Sequence, residues 1–257
     1  MKRLVASLAL VSALLPPVTA AGGIDLRKLF RKPSMALPQG FPEGFDVIPC
    51  TRASNWLSPQ PVACGPFQVT QFHYAWTRPG RLSRLHGLAT RREMAYSFRI
   101  EVGGSLAWEG LCRQAKATSG AVLEGGHSSA EVPNLVVSVV QCYLRDMVTL
   151  VAWTLDLRTD IRPYLLSAEI ESVGSLVSGE TRLEVAEVHA IDGLSLLSGW
   201  PVGFLFSRDG RWVAAADAGP AGGLRLDPAA ERGPIVAGCA ALLLRAALAS
   251  GGFDGDQ

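Results

Sequence analysis

The side chains with which this chain could do acid–base or nucleophilic chemistry are few. Gly125-Gly126-His127-Ser128-Ser129 sets a histidine beside two hydroxyls in a glycine-rich stretch. An extracytoplasmic hydrolase using His127 would need a distant acid or serine, because a catalytic triad is assembled from separate parts of a chain. Gly174-Ser175-Leu176-Val177-Ser178-Gly179 lacks the G-x-S-x-G spacing of a nucleophile elbow. A solvated hairpin loop explains the His127 segment with fewer requirements. His189 falls in a strand-like run and reads as a sheet histidine, and His73 and His86 carry no motif. Glu169 and Glu171 share one strand face, as do Arg182 and Glu184, which describes a solvated surface. Asp209, Asp217 and Asp227 stand among turn residues. No phosphate loop or dinucleotide fingerprint is present. No catalytic residue is assigned and no cofactor is expected.

One asymmetric patch stands out. Arg78, Arg81, Arg84, Arg91 and Arg92 run together with His86 and no acid until Glu93. Such a cluster can bind a phosphate-bearing lipid or an acidic polymer through charge-assisted bonds. A basic loop between two strands that merely solvates is the simpler account, and the one preferred. Trp56, Trp76 and Trp200 could line a groove, although a strand aromatic usually belongs to the core.

The five cysteines leave at least one without an internal partner. Cys50 and Cys64 flank a loop rich in Pro, Ser and Asn. Cys112 and Cys142 each sit in a strand-like run, on the face that carries Trp108 in one and Val140 and Leu144 in the other. We therefore expect bridges 50–64 and 112–142, with Cys239 buried and free. Two buried free thiols at 112 and 142 are the alternative, since connectivity cannot be read from sequence. No Cys or His pair has CxxC or HxxxH spacing, so no metal site is expected.

The elements that must position these residues begin with an export segment. Lys2 and Arg3 precede an uncharged run from Leu4 to Leu15, Pro16-Pro17 break it, and Val18-Thr19-Ala20 offers a cleavage site. The run is too short for the roughly 20 residues that span a bilayer, and no cysteine near the cut offers a lipid anchor. Residues 1–20 are expected to be a signal peptide, giving a periplasmic or secreted protein with no transmembrane segment after cleavage. The remaining chain has 22 basic and 23 acidic residues, so it carries no field that would draw in nucleic acid.

Residues 21–66 read as an irregular wrapping segment, broken by Pro33, Pro38, Pro42, Pro49, Pro59 and Pro61. Residues 67–257 read as one β-rich domain. Tyr96, Phe98, Ile100 and Val102 alternate with Ser97, Arg99 and Glu101, and Val151 to Arg158 alternates likewise. Two runs change phase: Phe67 and Val69 give way to Phe72, Tyr74 and Trp76, and Leu183 and Val185 to Val188 and Ala190. A β-bulge would return both halves of each run to one face. Asp209-Gly210 between two apolar runs predicts a hairpin. Gln114 to Asn134 is expected to be a long polar loop.

The last element, 235–249, reads as a helix that starts near Pro234, stops at Gly251-Gly252 and has no polar side apart from Arg245. A helix apolar all round must be enclosed, and small residues at 237, 238, 240 and 241 would let strands come close. The expected fold is mostly β with a C-terminal helix: a curved antiparallel sheet or closed barrel of about eight to ten strands that encloses the helix or packs on it. A β-sandwich or lipocalin-like barrel with the helix outside is the alternative.

Strands first and a buried apolar helix last, carried by the Phe204 to Ala216 hairpin and the Ile235 to Ala249 helix, resemble the tubby-like barrel shared with phospholipid scramblases. The resemblance covers roughly residues 67–249 and is one of shape. It transfers no functional residue, and the expected export, the disulfides and the lack of a lysine cluster all depart from it. The resulting expectation is an exported, non-enzymatic binding or accessory protein of the cell envelope, whose partner is a lipid or an envelope protein. The alternatives are the His127 hydrolase and a structural or secretion-associated component.

Overall fold

A strict alternation runs through residues 93–101: Met94, Tyr96, Phe98 and Ile100 are buried while the residues between them are half-buried on the other face. Only a sheet with one dry face produces that pattern. The computed structural model describes residues 35–52, 62–77, 90–125, 128–163, 168–191, 201–219 and 222–250. The expected signal segment lies outside them. The described strands are β1 (Asp46–Arg52), β2 (Val62–Cys64), β3 (Phe67–Thr77), β4 (Thr90–Val102), β5 (Ser105–Gly125) and β6 (Ser128–Asp146). They continue with β7 (Ala152–Pro163), β8 (Ala168–Ser178), β9 (Thr181–Val188), β10 (Gly203–Arg208), β11 (Arg211–Asp217) and β12 (Gly223–Leu226), followed by the helix α1 (Arg232–Ser250).

Each strand pairs antiparallel with the next, and β12 pairs with β1, so the sheet closes into a twelve-stranded up-and-down barrel. Closure removes the edges that an open sheet would expose. After β12 the chain turns back at Asp227–Ala230 and α1 runs through the interior. Ile235, Val236 and Leu242 to Leu244 are buried in one cluster with the inward side chains of the strands. An enclosed helix is thus the arrangement found, and the alternative with the helix outside is not. Gly238 lets Leu176 and Phe206 reach the helix, since an added Cβ would stand 3.2 and 3.3 Å from them. The Tyr96 hydroxyl donates to the Ala241 carbonyl at 3.0 Å, tying α1 to β4.

Both expected disulfides are present, Cys50–Cys64 and Cys112–Cys142, and Cys239 is free and buried. Each bridge joins residues directly opposite on neighbouring strands. The Asp209-Gly210 turn has positive φ at both positions, as a tight right-twisting hairpin requires. The bulge expected in β3 lies between Thr70 and His73, with Gln71 at φ 48°.

Three expectations are corrected. The described strands number twelve and not eight to ten, because β2 and β12 have three and four residues, too few to show a period, and β1 carries Pro49. Both β1 and β2 come from the segment read as irregular. Gln114 to Asn134 is no loop: β5 and β6, 21 and 19 residues long, pair through nearly all of it. Backbone pairing there is indifferent to side-chain polarity, and a register shift at Ser119/Gly120 accommodates Pro133. Finally, β9 contains no bulge, since its pairing with β10 runs unbroken from Glu184 to Val188. Val188 faces outward with Leu205 and Ala215, and Met35, Phe41 and Trp212 pack around them. A strand can be apolar on both faces where another segment wraps its outside.

Candidate functional site

Ionisable groups enter the interior at the end of the barrel where α1 terminates. In the circumferential row Lys116–Ser138–Thr159–Ser172, each residue sits opposite the next across β5 to β8. The Ser172 hydroxyl accepts the Glu187 amide at 2.7 Å, which extends the row to β9. Glu187 shares the inward parity of Leu183 and Val185, and its side chain is 1% exposed. Arg245, brought by the last turns of α1, is ion-paired with it. His189 Nε2 lies 3.0 Å from the other carboxylate oxygen. Burial alone would raise the Glu187 carboxyl, but the adjacent Arg245 charge and the bonds from His189 and Arg245 outweigh this and hold it at about 2. Because the carboxylate is ionised, His189 Nε2 is the donor in that contact.

Arg245 also donates to the Ser138 hydroxyl at 3.1 Å, as does the Gln114 amide at 3.3 Å. Two donors converging on Ser138 oppose activation of that oxygen as a nucleophile, which needs a base to take its proton. The Thr159 hydroxyl, 1% exposed, finds no partner. The cluster therefore balances charge and ties the end of the helix to β6 and β9. His127 lies outside the described residues, as does His86.

The second concentration of polar and aromatic groups is on the outside. His73, Ser97, Leu111 and Tyr143 form one row across β3 to β6. The adjacent row is Arg99, Glu109 and Arg145. Together they line a groove of about 400 Å³, floored at Phe98 and Gly110. The β3 bulge sets His73 opposite Ser97. Gly110 keeps the floor thin because the Phe98 ring occupies the space of its missing side chain. Leu111 and Tyr143 are 58% and 53% exposed, unusual for large apolar side chains in mid-strand. Arg99 and Glu109 pair at 2.8 Å, leaving Arg145 exposed and without an ion pair among the described residues.

Of the arginine patch, Arg78, Arg81 and Arg84 lie outside the described residues. Arg91 and Arg92 are successive positions of β4, opposite Ala117 and Lys116, so that part of the patch is strand and not loop. Trp56 and Trp200 also lie outside. The outer groove had no sequence signal, because its rows are built by register between four strands. No family model, curated protein or solved structure matches the chain. Among the described residues, no helix is long and apolar enough to cross a membrane.

Proposed function

We propose that this chain is an exported, non-enzymatic binding or accessory protein of the cell envelope that takes its partner on the outer face of the barrel. The observation that carries the reading is the filled interior. α1 occupies most of the space in which an open barrel would enclose a ligand, leaving a recess of about 420 Å³ at the mouth by Leu183, Val213 and Ile235, and the outer groove is the more exposed of the two surfaces. The groove between His73 and Arg145 supplies exposed aromatic and aliphatic area beside the exposed Arg145 guanidinium. Two disulfides fit an oxidising compartment, and the N-terminal segment supports periplasmic or secreted location. A structural or secretion-associated component is the second reading, favoured by the same filled interior, and it predicts no binding that depends on the groove.

The test is native mass spectrometry of the mature protein, made through an oxidising compartment and mixed with solubilised envelope lipid. We expect an adduct that leaves on denaturation and falls at least about fivefold in Leu111→Ser/Tyr143→Ser, since each exposed side chain contributes on the order of 1 kcal/mol when covered. An adduct undiminished by the variant would take the groove out of the account, and no adduct at all would favour the structural reading.

A further inference from the structure

The turn between β6 and β7 carries its apolar side chains outward. Val148 is 80% exposed and Leu150 60%, and Val151 is exposed beside them. Leu150 holds φ at 61°, a left-handed conformation that leucine seldom adopts. The turn is nevertheless firmly built. The Asp146 carboxylate accepts the amides of Val148 at 2.7 Å and Thr149 at 3.1 Å. The Thr149 hydroxyl accepts the Val151 amide at 3.4 Å. The Asp146 and Met147 amides donate to the carbonyls of Val151 and Ala107. Five of the six amides from Asp146 to Val151 are thus satisfied within the protein. At a tip left in water, solvent could serve those groups in place of the protein. Hydrocarbon offers them no partner, so a tip that enters lipid must satisfy them itself.

The surface behind the tip fits the same occupant. Arg145 and then Tyr143 follow along the outer face of β6, two residues apart and so about 7 Å per step. An exposed arginine at that depth meets lipid phosphates, and a tyrosine with its ring half exposed is typical of the membrane–water boundary. We propose that the β6–β7 turn is a membrane-contact element, in which Val148 and Leu150 dip into the acyl boundary of a phospholipid bilayer and Arg145 and Tyr143 lie at headgroup level. The inference rests on the binding reading above and names the surface that is bound. The charged Asp146 beneath the tip limits the insertion to these side chains.

The test is co-sedimentation of the mature, oxidised protein with phosphatidylcholine vesicles and with equimolar phosphatidylcholine–phosphatidylglycerol vesicles. Wild type binds both, and raising salt leaves the phosphatidylcholine arm unchanged because that attraction is apolar. Val148→Asn/Leu150→Asn weakens binding at least about tenfold in both arms. Asparagine tolerates positive φ, so the turn itself is preserved. In a separate variant, Val148→Trp, the emission added by the new indole shifts to the blue when vesicles are added. Three results each overturn the inference: wild type that stays in solution with both vesicles, an asparagine variant that binds like wild type, or an added indole emission that does not shift. Loss of vesicle binding with a groove-dependent adduct still seen by native mass spectrometry removes the tip alone, whereas loss of both removes the binding reading with it.

Discussion

Glu187 stands on the dry side of a strand, where an isolated carboxylate would be expensive. Arg245 reverses that cost, and the pair has a pH signature. The folded carboxyl is held at about 2, below its ordinary 4.5, so its contribution is complete above about 4.5 and is lost as pH falls towards 2. The shift corresponds to roughly 3 kcal/mol in the free energy of unfolding. Denaturant titrations at pH 7 and near pH 2.5 should therefore show wild type losing more stability than Glu187→Gln. At pH 7 the variant should be destabilised by about 3–5 kcal/mol, since Arg245 is left buried without its counter-charge. A gap between the two proteins that is the same at both pH values would contradict this assignment.

The helix α1 is an element whose composition is explained only by its enclosure. Its residues Val236 to Leu244 touch strands on every side, and Gly238 sits where Leu176 and Phe206 leave no room. Gly238→Ala gains helix propensity of up to about 1 kcal/mol and loses a similar amount to crowding, so it should be close to neutral. Gly238→Leu adds carbons with nowhere to go and should cost about 1–3 kcal/mol or more, read as a lowered thermal midpoint. A leucine variant as stable as wild type would mean that α1 is not surrounded by the barrel. At this scale the alternation of β4 and β7 and the uniform apolarity of α1 were legible in the sequence. The β5–β6 hairpin was not, because Ser, Thr and Gly pair through their backbones without leaving a hydrophobic period. The doubled apolarity of β9 was misread for a related reason: a second, outer cluster under Met35 imitates the phase change of a bulge.

For the whole molecule, closure depends on the shortest strands. β2 has three residues, and it joins β1 to β3 at a seam stapled by Cys50–Cys64. A bridge with a separation of 14 residues is worth about 3 kcal/mol in the chain-entropy model. Cys50→Ser/Cys64→Ser should lower stability by about that amount and raise amide exchange first in β1, β2 and β12, where the barrel would open. Exchange rising evenly around all twelve strands would instead mean that the barrel unfolds as a unit and that the seam has no special role. The denatured mass of the oxidised protein should fall about four hydrogens below the reduced chain, two for each bridge.

The sequence by itself determined the mostly β class with one apolar C-terminal helix, and it favoured the disulfide pairing and the enclosure of that helix over alternatives that it left open. Each follows from local periodicity or composition: inward positions recur every second residue and carry Cys112 and Cys142, Cys50 and Cys64 flank a loop rich in Pro, Ser and Asn, and a helix without a polar face has to be covered. What the tertiary structure decided is where chemistry meets. The Glu187–Arg245–Ser138 cluster joins residues 58 and 107 positions apart from Arg245, and the outer groove takes its rows from four strands in register. Register is a property of the paired sheet, since shifting one strand by a residue would exchange its faces. No window along a single chain contains that information.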